Sequence, residues 1–304
     1  IKSLQERTVE SEEQGMYWKT ISRGFSWYES PIEAHSLLIE AFDEIAKDTK
    51  VVNELKLWLL LQKQTQNWKT TTATADAIHA LLFTGTTEMT TKFDADIKWG
   101  NKPVEISNTN IETATGHIKE KIAPNKINDS YSVVDVKNKG NDIAWGAVHW
   151  QYFENLDKIS GYESKYMSLK REYFIEKITP SGKILEPIKN GNVLKIGDIV
   201  IVRLVLECDR NLEYVHLKDM RPSSFEPMQT LSGYFYKAGL GYYGETKDAS
   251  YNFFFDYLPR GKYVLEYALR VSQKGKFSTG ISTLQCMYAP EFNAHAQGML
   301  IRVK

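Results

Sequence analysis

The chain has 304 residues, with 38 basic against 38 acidic side chains, 42% hydrophobic and 12% aromatic content. Zero formal net charge excludes a chain-wide footprint for nucleic acid or an anionic membrane surface, because such binding draws its affinity from clustered Lys and Arg. Ordinary apolar content argues against disorder, and the length exceeds the roughly 250 residues at which single cores split, so two or three domains are expected.

The chain opens Ile-Lys-Ser-Leu, without an initiator Met and without a basic start leading into an apolar run, so no signal peptide is read and a piece of a longer protein is expected. Residues 1 to about 90 read as helical. The clearest start is Ser30-Pro31-Ile32-Glu33, where Ser30 suits the cap, Pro31 the first turn and Glu33 the capping-box position. Leu38, Phe42 and Ile45, with Ile39 and Ala46 beside them, recur at helical spacing and predict one apolar stripe. A second helix is predicted over Val51 to Gln64 with Val52, Leu55, Leu59 and neighbouring Leu60 inward, and a third over Thr71 to Phe83 with Gly85 as its C-cap. The longest apolar run, Leu55 to Leu61, is far short of the ~20 residues of a spanning helix, so no membrane insertion is expected.

From Thr91 the period changes to two. Strands are predicted over Phe93 to Trp99, Tyr131 to Lys137 and Ala147 to Phe153, then over Ile199 to Leu206, Tyr214 to Lys218, Tyr251 to Phe255, Tyr263 to Val271, Leu284 to Tyr288 and Met299 to Val303. The turn-rich stretch Ile178-Thr179-Pro180-Ser181-Gly182 suggests a domain boundary. The fold class is therefore α+β and multidomain: helices first, then two antiparallel β-sandwich domains.

Chemical motifs are few. Gly239-Leu240-Gly241-Tyr242-Tyr243-Gly244 matches G-x-G-x-x-G, but no apolar helical run follows it, so a glycine-rich loop in a β domain is the better reading. His35, His79, His117, His149, His216 and His295 show no metal-binding spacing, and Cys208 and Cys286 stand in no nucleophile signature, so neither metal nor cofactor nor enzymatic activity is expected. Two ordinary strand cysteines are favoured over one disulfide. Asn128-Asp129-Ser130 reads as a polar turn before a glycosylation sequon. Trp145, Trp150, Tyr152 and Phe153 suggest a sugar-stacking platform, although alternation places at least one set of them in a core.

Three stretches carry a resemblance. Leu55 to Gln64, followed by Trp68-Lys69-Thr70-Thr71-Thr72-Ala73-Thr74-Ala75-Asp76-Ala77-Ile78, resembles the closing helices of the thioester domain in bacterial alpha-2-macroglobulin family proteins. Arg221-Pro222, Phe225-Glu226-Pro227, Phe255 to Tyr263 and Met287-Tyr288-Ala289-Pro290-Glu291 look like the last macroglobulin domain of that family. Between them, Val148 to Phe153 and Tyr173-Phe174 look like the CUB-like sandwich flanking the thioester domain. The resemblance implies three domains: residues 1–90 from the end of an α/α toroid, 91–176 from the CUB-like sandwich, and 177–304 as the last macroglobulin domain.

The resemblance further implies a periplasmic or extracytoplasmic protease trap, with a lipid anchor through the region missing upstream as one form, whose partners are target proteases and whose acyl-transfer chemistry is suicidal rather than catalytic. The thioester motif C-x-E-Q surrounds neither cysteine: Cys208 is followed by Asp-Arg-Asn and Cys286 by Met-Tyr-Ala. Met287 and Tyr288 match the positions thought to keep water from the thioester in the family; plain strand packing is the alternative. Because the fragment holds only part of the toroid, a homodimer through exposed helical faces is expected. A toroid-plus-sandwich polysaccharide lyase using Tyr17, Trp18 and Arg23, and a non-inhibitory cell-surface module, are the other readings.

Overall fold

The computed structural model describes residues 1–11, 14–19, 21, 30–84, 95–105, 118–139, 146–156, 158–189 and 191–304. Two compact units emerge, Ile1–Leu60 with Trp68–Ala147, and Leu61–Asn67 with Val148–Lys304. The chain is α+β, with its long helices in the first third and antiparallel sheet dominating the rest. No described helix is long and apolar enough to cross a membrane.

The first unit does not begin as continuous helix. A short helix, α1 (Lys2–Gln5), leads into a hairpin of β1 (Val9–Ser11) and β2 (Gly15–Tyr17), with Val9 opposite Tyr17. Gly15 explains the departure: its φ is +69°, and a Cβ there would stand 2.3 Å from the Glu54 carbonyl oxygen. Only glycine lets this backbone lie so close to the helix behind it.

α2 (Pro31–Ala41) starts at the proline, as its fixed φ favours. The expected cap is different. Ser30 is left-handed, at φ 33° and ψ 53°, and makes no side-chain cap; Glu33 instead accepts a hydrogen bond from the Thr70 hydroxyl at 2.9 Å. A π-helical turn over Phe42–Ala46 follows. Each π turn holds an extra residue, so the stripe rotates: Ile39 and Phe42 are buried, while Ile45 is 70% exposed and Ala46 also faces solvent. α3 (Thr49–Thr65) buries Val51, Val52, Leu55, Trp58 and Leu59, and α4 (Thr71–Phe83) buries Ala73, Ala77 and Ala80. Thr70 caps α4 by accepting from the Ala73 amide at 2.9 Å. At the other end, Lys56 Nζ donates to the carbonyls of Leu81 and Thr84, a cation at the negative end of the helix dipole. Gly85, the expected C-cap, lies outside the described residues.

β3 (Ala95–Trp99), β4 (Lys102–Pro103) and β5 (Val134–Asn138) form a three-stranded sheet in the order β4-β3-β5. Phe93 and Asp94 lie outside the described residues. Tyr131 falls in a 3₁₀ turn over Asp129–Ser132 rather than in a strand, and its carbonyl accepts from the Trp99 indole at 3.0 Å. The strand expected over 147–153 is absent. No described strand runs beside this segment, and alternation alone cannot satisfy a strand's backbone groups.

The second unit holds fifteen of the described strands. β6 (Tyr162–Glu163), β7 (Met167–Thr179), β8 (Gly182–Pro187), β9 (Val193–Leu194) and β10 (Ile199–Cys208) come first. β11 (Leu212–Met220), β12 (Phe225–Pro227), β13 (Gly233–Lys237), β14 (Leu240–Lys247) and β15 (Ser250–Leu258) follow. β16 (Gly261–Val271), β17 (Gly275–Ser278), β18 (Ser282–Cys286), β19 (Asn293–Ala296) and β20 (Leu300–Val303) complete it. A five-stranded sheet, β12-β16-β10-β7-β8, and a seven-stranded sheet, β13-β14-β15-β11-β18-β19-β6, share one core. Alternation is strict where it matters: Val200, Val202, Leu204 and Leu206 of β10, and Val215 and Leu217 of β11, are all 0% exposed. The turn-rich stretch 178–182 is not a linker. It closes the β7–β8 hairpin, with Thr179 opposite Gly182.

Candidate functional site

The motifs set aside from sequence resolve into structure. Gly239 ends the tight turn between β13 and β14, and the rest of the G-x-G-x-x-G stretch is strand. Both cysteines are free and buried: the Cys208 thiol donates to the Pro259 carbonyl at 3.0 Å, and the Cys286 thiol to the Glu213 carbonyl at 3.3 Å. Burial pushes the Cys208 thiol up to about 11 and raises Cys286 as well, so neither is a ready nucleophile. Among the described residues no three His, Cys, Asp or Glu side chains gather as a metal ion requires; His117 lies outside them. Asn128 accepts from the Ser130 amide at 3.0 Å, as a polar turn does. Trp18 is buried, its indole donating to the Leu4 carbonyl at 2.8 Å, and Tyr17 stacks on Trp58 at 5.9 Å. The two residues proposed for a lyase are thus packing groups, and Arg23 lies outside the described residues. Trp150, Tyr152 and Phe153 are 51%, 70% and 102% exposed, so neither face of that segment enters a core; Trp145 is not among the described residues.

Met287 and Tyr288 are together and exposed. β18 was expected to run to Tyr288 but ends at Cys286; the Met287 amide still donates to the Tyr214 carbonyl at 2.9 Å, in the register of the β11–β18 ladder, and the chain leaves the sheet beyond that bond. A loop over 287–292 results, closed by the Cys286 amide donating to the Phe292 carbonyl at 2.9 Å and the Phe292 amide to the Ala289 carbonyl at 2.9 Å. Ala289 and Phe292 are buried at its base, while Met287 is 55% and Tyr288 76% exposed. The loop offers a thioether and a phenol to solvent from a fixed platform.

Groups that the sequence did not single out build that platform. Tyr214 interrupts the regular backbone of β11 with φ +55°, and its ring meets that of Tyr288 edge-to-face, centroids 5.2 Å apart and planes at 88°. Phe292 packs on Tyr166 at 5.0 Å, and the Arg210 guanidinium lies 4.3 Å from the Tyr166 ring and 5.3 Å from the Phe292 ring. Such cation–aromatic contacts contribute on the order of 0.5–1 kcal/mol at partly exposed sites. No spacing rule links residues 166, 210, 214 and 292, which only the sheet topology unites.

Residues 167–291 match the family described as the bacterial Alpha-2-macroglobulin MG10 domain. The matched segment holds all of the five-stranded sheet and five strands of the seven-stranded one, and ends within the exposed loop of Met287 and Tyr288. Solved structures similar to the chain are also bacterial macroglobulins. Salmonella alpha-2-macroglobulin reacted with methylamine is 14% identical over 92% of this chain and 18% of that one, with a TM-score of 0.36. Trypsin-activated alpha-2-macroglobulin from Escherichia coli is 13% identical over 90% of this chain and 18% of that one, at a TM-score of 0.42. The native Escherichia coli protein from domain MG7 to the C-terminus is 12% identical over 90% of this chain and 42% of that one, at 0.35. The chain thus covers about a fifth of the Salmonella protein's length. No curated protein sequence matches it.

Proposed function

We propose that this chain is the C-terminal portion of a protease-trapping inhibitor of the alpha-2-macroglobulin type, a non-catalytic scaffold whose last domain shields a thioester carried elsewhere in the parent protein. The observation that carries the reading is the exposed Met287–Tyr288 pair, presented on a closed loop of the MG10 domain. An acyl thioester survives only where water is kept away, and a flexible thioether beside an amphipathic ring supplies an apolar cover with one polar end. In this reading the helices of 1–90 are the end of a thioester-type toroid, and the sheet of β3, β4 and β5 belongs to the CUB-like sandwich. Proteases are met by the full-length protein, outside the cytoplasm.

The test uses the full-length parent. Wild-type protein is expected to incorporate methylamine and to capture added trypsin covalently, and Tyr288→Ala to lose its amine-reactive acyl group at least tenfold faster in buffer without changing its folded mass. A parent that takes up no amine and retains no protease defeats the trap reading; an unchanged lifetime in Tyr288→Ala defeats the shield alone.

For the isolated chain we infer self-association, because Leu37, Ile45, Ile78 and Leu82 are 65%, 70%, 45% and 43% exposed on its helices. Light scattering is expected to give twice the 34.9 kDa chain mass, and a monomer at every concentration sinks the idea.

A further inference from the structure

We propose that Tyr214 is the positioning residue for Tyr288, a rigid aromatic post at the point where the loop leaves the sheet that holds the tyrosine ring upright. The inference takes its purpose from the shielding role above, while its geometry stands apart from that role.

Three observations converge on Tyr214. First, its φ of +55° is left-handed, a conformation that places Cβ against the backbone and that a bulky aromatic rarely adopts. It sits inside β11, between the Glu213–Tyr257 and Val215–Phe255 pairs, in the middle of a strand rather than at a turn. Residues held this way persist only where their surroundings over-determine them. Second, the Tyr214 carbonyl accepts from the Met287 amide at 2.9 Å, which continues the β11–β18 register one step past its last pair, Val215 with Cys286. The last bond of this ladder is therefore made to the residue whose backbone is left-handed, and the loop of Tyr288 begins just beyond it. Third, the Tyr214 ring, 40% exposed, lies edge-to-face against Tyr288, which is 76% exposed. A tyrosine so open to solvent samples many rotamers unless a neighbour selects one, and a perpendicular ring at this separation is the preferred aromatic arrangement.

Glycine meets the backbone requirement better than tyrosine does, so the ring and the backbone can be separated by mutation. Tyr214→Gly keeps the left-handed turn without a Cβ and removes only the post. Tyr214→Phe keeps the post without its hydroxyl. Tyr214→Asn, which also tolerates φ > 0, serves as a second ringless variant should glycine loosen the strand.

The measurement is ¹⁹F NMR on the full chain labelled with 3-fluorotyrosine, the Tyr288 signal assigned by its loss in Tyr288→Phe, with thermal unfolding run in parallel. In wild type the Tyr288 signal is expected to be displaced from that of free tyrosine by the Tyr214 ring. In Tyr214→Gly and Tyr214→Asn it is expected to collapse onto the free-tyrosine position while the unfolding midpoint holds or rises, and in Tyr214→Phe it stays displaced. A Tyr288 signal unmoved in both ringless variants overturns the proposal, as does a wild-type signal already at the free position. A midpoint that falls in both, with all tyrosine signals shifting together, assigns Tyr214 to general packing and overturns it equally. In the thioester-bearing parent, Tyr214→Gly is expected to shorten the thioester lifetime in the same direction as Tyr288→Ala and to add nothing in the double variant. If Tyr288→Ala leaves that lifetime unchanged, the shielding role fails while the NMR result still judges the positioning.

Discussion

Single residues in left-handed backbone mark where this chain sets local geometry against intrinsic preference. Ala238 and Gly239 form the two-residue turn between β13 and β14, with φ of +55° and +78° and Lys237 paired to Leu240 around them. Both central residues at positive φ match the twist of the flanking strands, which is why Asn-Gly dominates such turns. Alanine at the first position carries a Cβ penalty of about 1 kcal/mol that asparagine largely escapes. Ala238→Asn is therefore expected to stabilise the sandwich by about 0.5–1 kcal/mol, read as a higher urea midpoint in near-ultraviolet dichroism of its tyrosines; an unchanged or lower midpoint contradicts the assignment. Tyr214 shares the same φ but differs in kind, because its side chain is a ring with an aromatic partner, whereas alanine offers only a methyl group. Neither position was legible from sequence. Alternation reads Tyr214 as the first residue of an ordinary strand, since backbone handedness leaves no trace in a pattern of polar and apolar letters.

Elements were legible where one face alone decides burial. The long helices α3 and α4 and the strands β10, β11, β15 and β16 lie where their periods place them, because each buries a single stripe or alternate set. Segments whose structure depends on a partner were not. Residues 147–153 alternate like a strand yet have no strand beside them, and the β1–β2 hairpin is too short to register against a helical prior. The same limit applies to the exposed loop: Met287 and Tyr288 came from a resemblance, while the supports at residues 166, 210 and 214 required the fold. His35 shows how an element contact gains a chemical consequence. It is buried on α2, its Nε2 is 2.9 Å from the Leu55 carbonyl of α3, and its ring lies 4.2 Å from Trp58 and 5.6 Å from Trp18. Burial lowers its pKa from 6.5 to about 4, against a smaller opposing effect of the Leu55 hydrogen bond. The unfolded chain then binds more protons than the folded one between those values. Stability is fully present above pH 6.5 and is lost as pH falls toward 4, by about 3 kcal/mol in all. Tryptophan fluorescence reports chiefly this unit, since six of the seven tryptophans belong to it and Trp150 alone to the second. Its urea midpoint is expected to fall steeply from pH 7 to pH 5 in wild type and less so in His35→Phe; equal slopes in the two proteins rule out His35 as the cause.

At the scale of the whole sandwich, one buried charge pair fixes how the two sheets meet. Arg171 belongs to β7 of the five-stranded sheet and Asp219 to β11 of the seven-stranded sheet; their side chains are 1% and 0% exposed, and Nη1 lies 2.8 Å from Oδ1. Each sheet contributes again: Ser282 of β18 donates to Asp219 Oδ1 and Tyr267 of β16 to Oδ2, both at 2.5 Å. Burial holds the Tyr267 hydroxyl well above its ordinary value, which keeps it a donor. Arg171 also donates to the Met220 and Gln297 carbonyls at 3.1 and 3.0 Å. Against a well-packed apolar pair, such an arrangement contributes little net stability, because desolvating two ions offsets their attraction. Removing one partner is another matter, since the remaining charge stays buried without its counter-ion. Asp219→Ala is expected to cost about 3–5 kcal/mol, and Arg171→Met a similar amount. At roughly 2–4 °C per kcal/mol for a unit of this size, either lowers the sandwich unfolding midpoint by about 10 °C. Tyr267→Phe deletes one donor and leaves the ion pair, so its cost is expected to stay near 1–3 kcal/mol. The double variant Arg171→Met with Asp219→Leu decides whether charge or packing is responsible: recovery of more than half the loss is expected, because no unpaired ion remains. A double variant as unstable as the sum of the two singles shows that the network acts through shape, and the account of the sheet contact as an electrostatic bolt then fails.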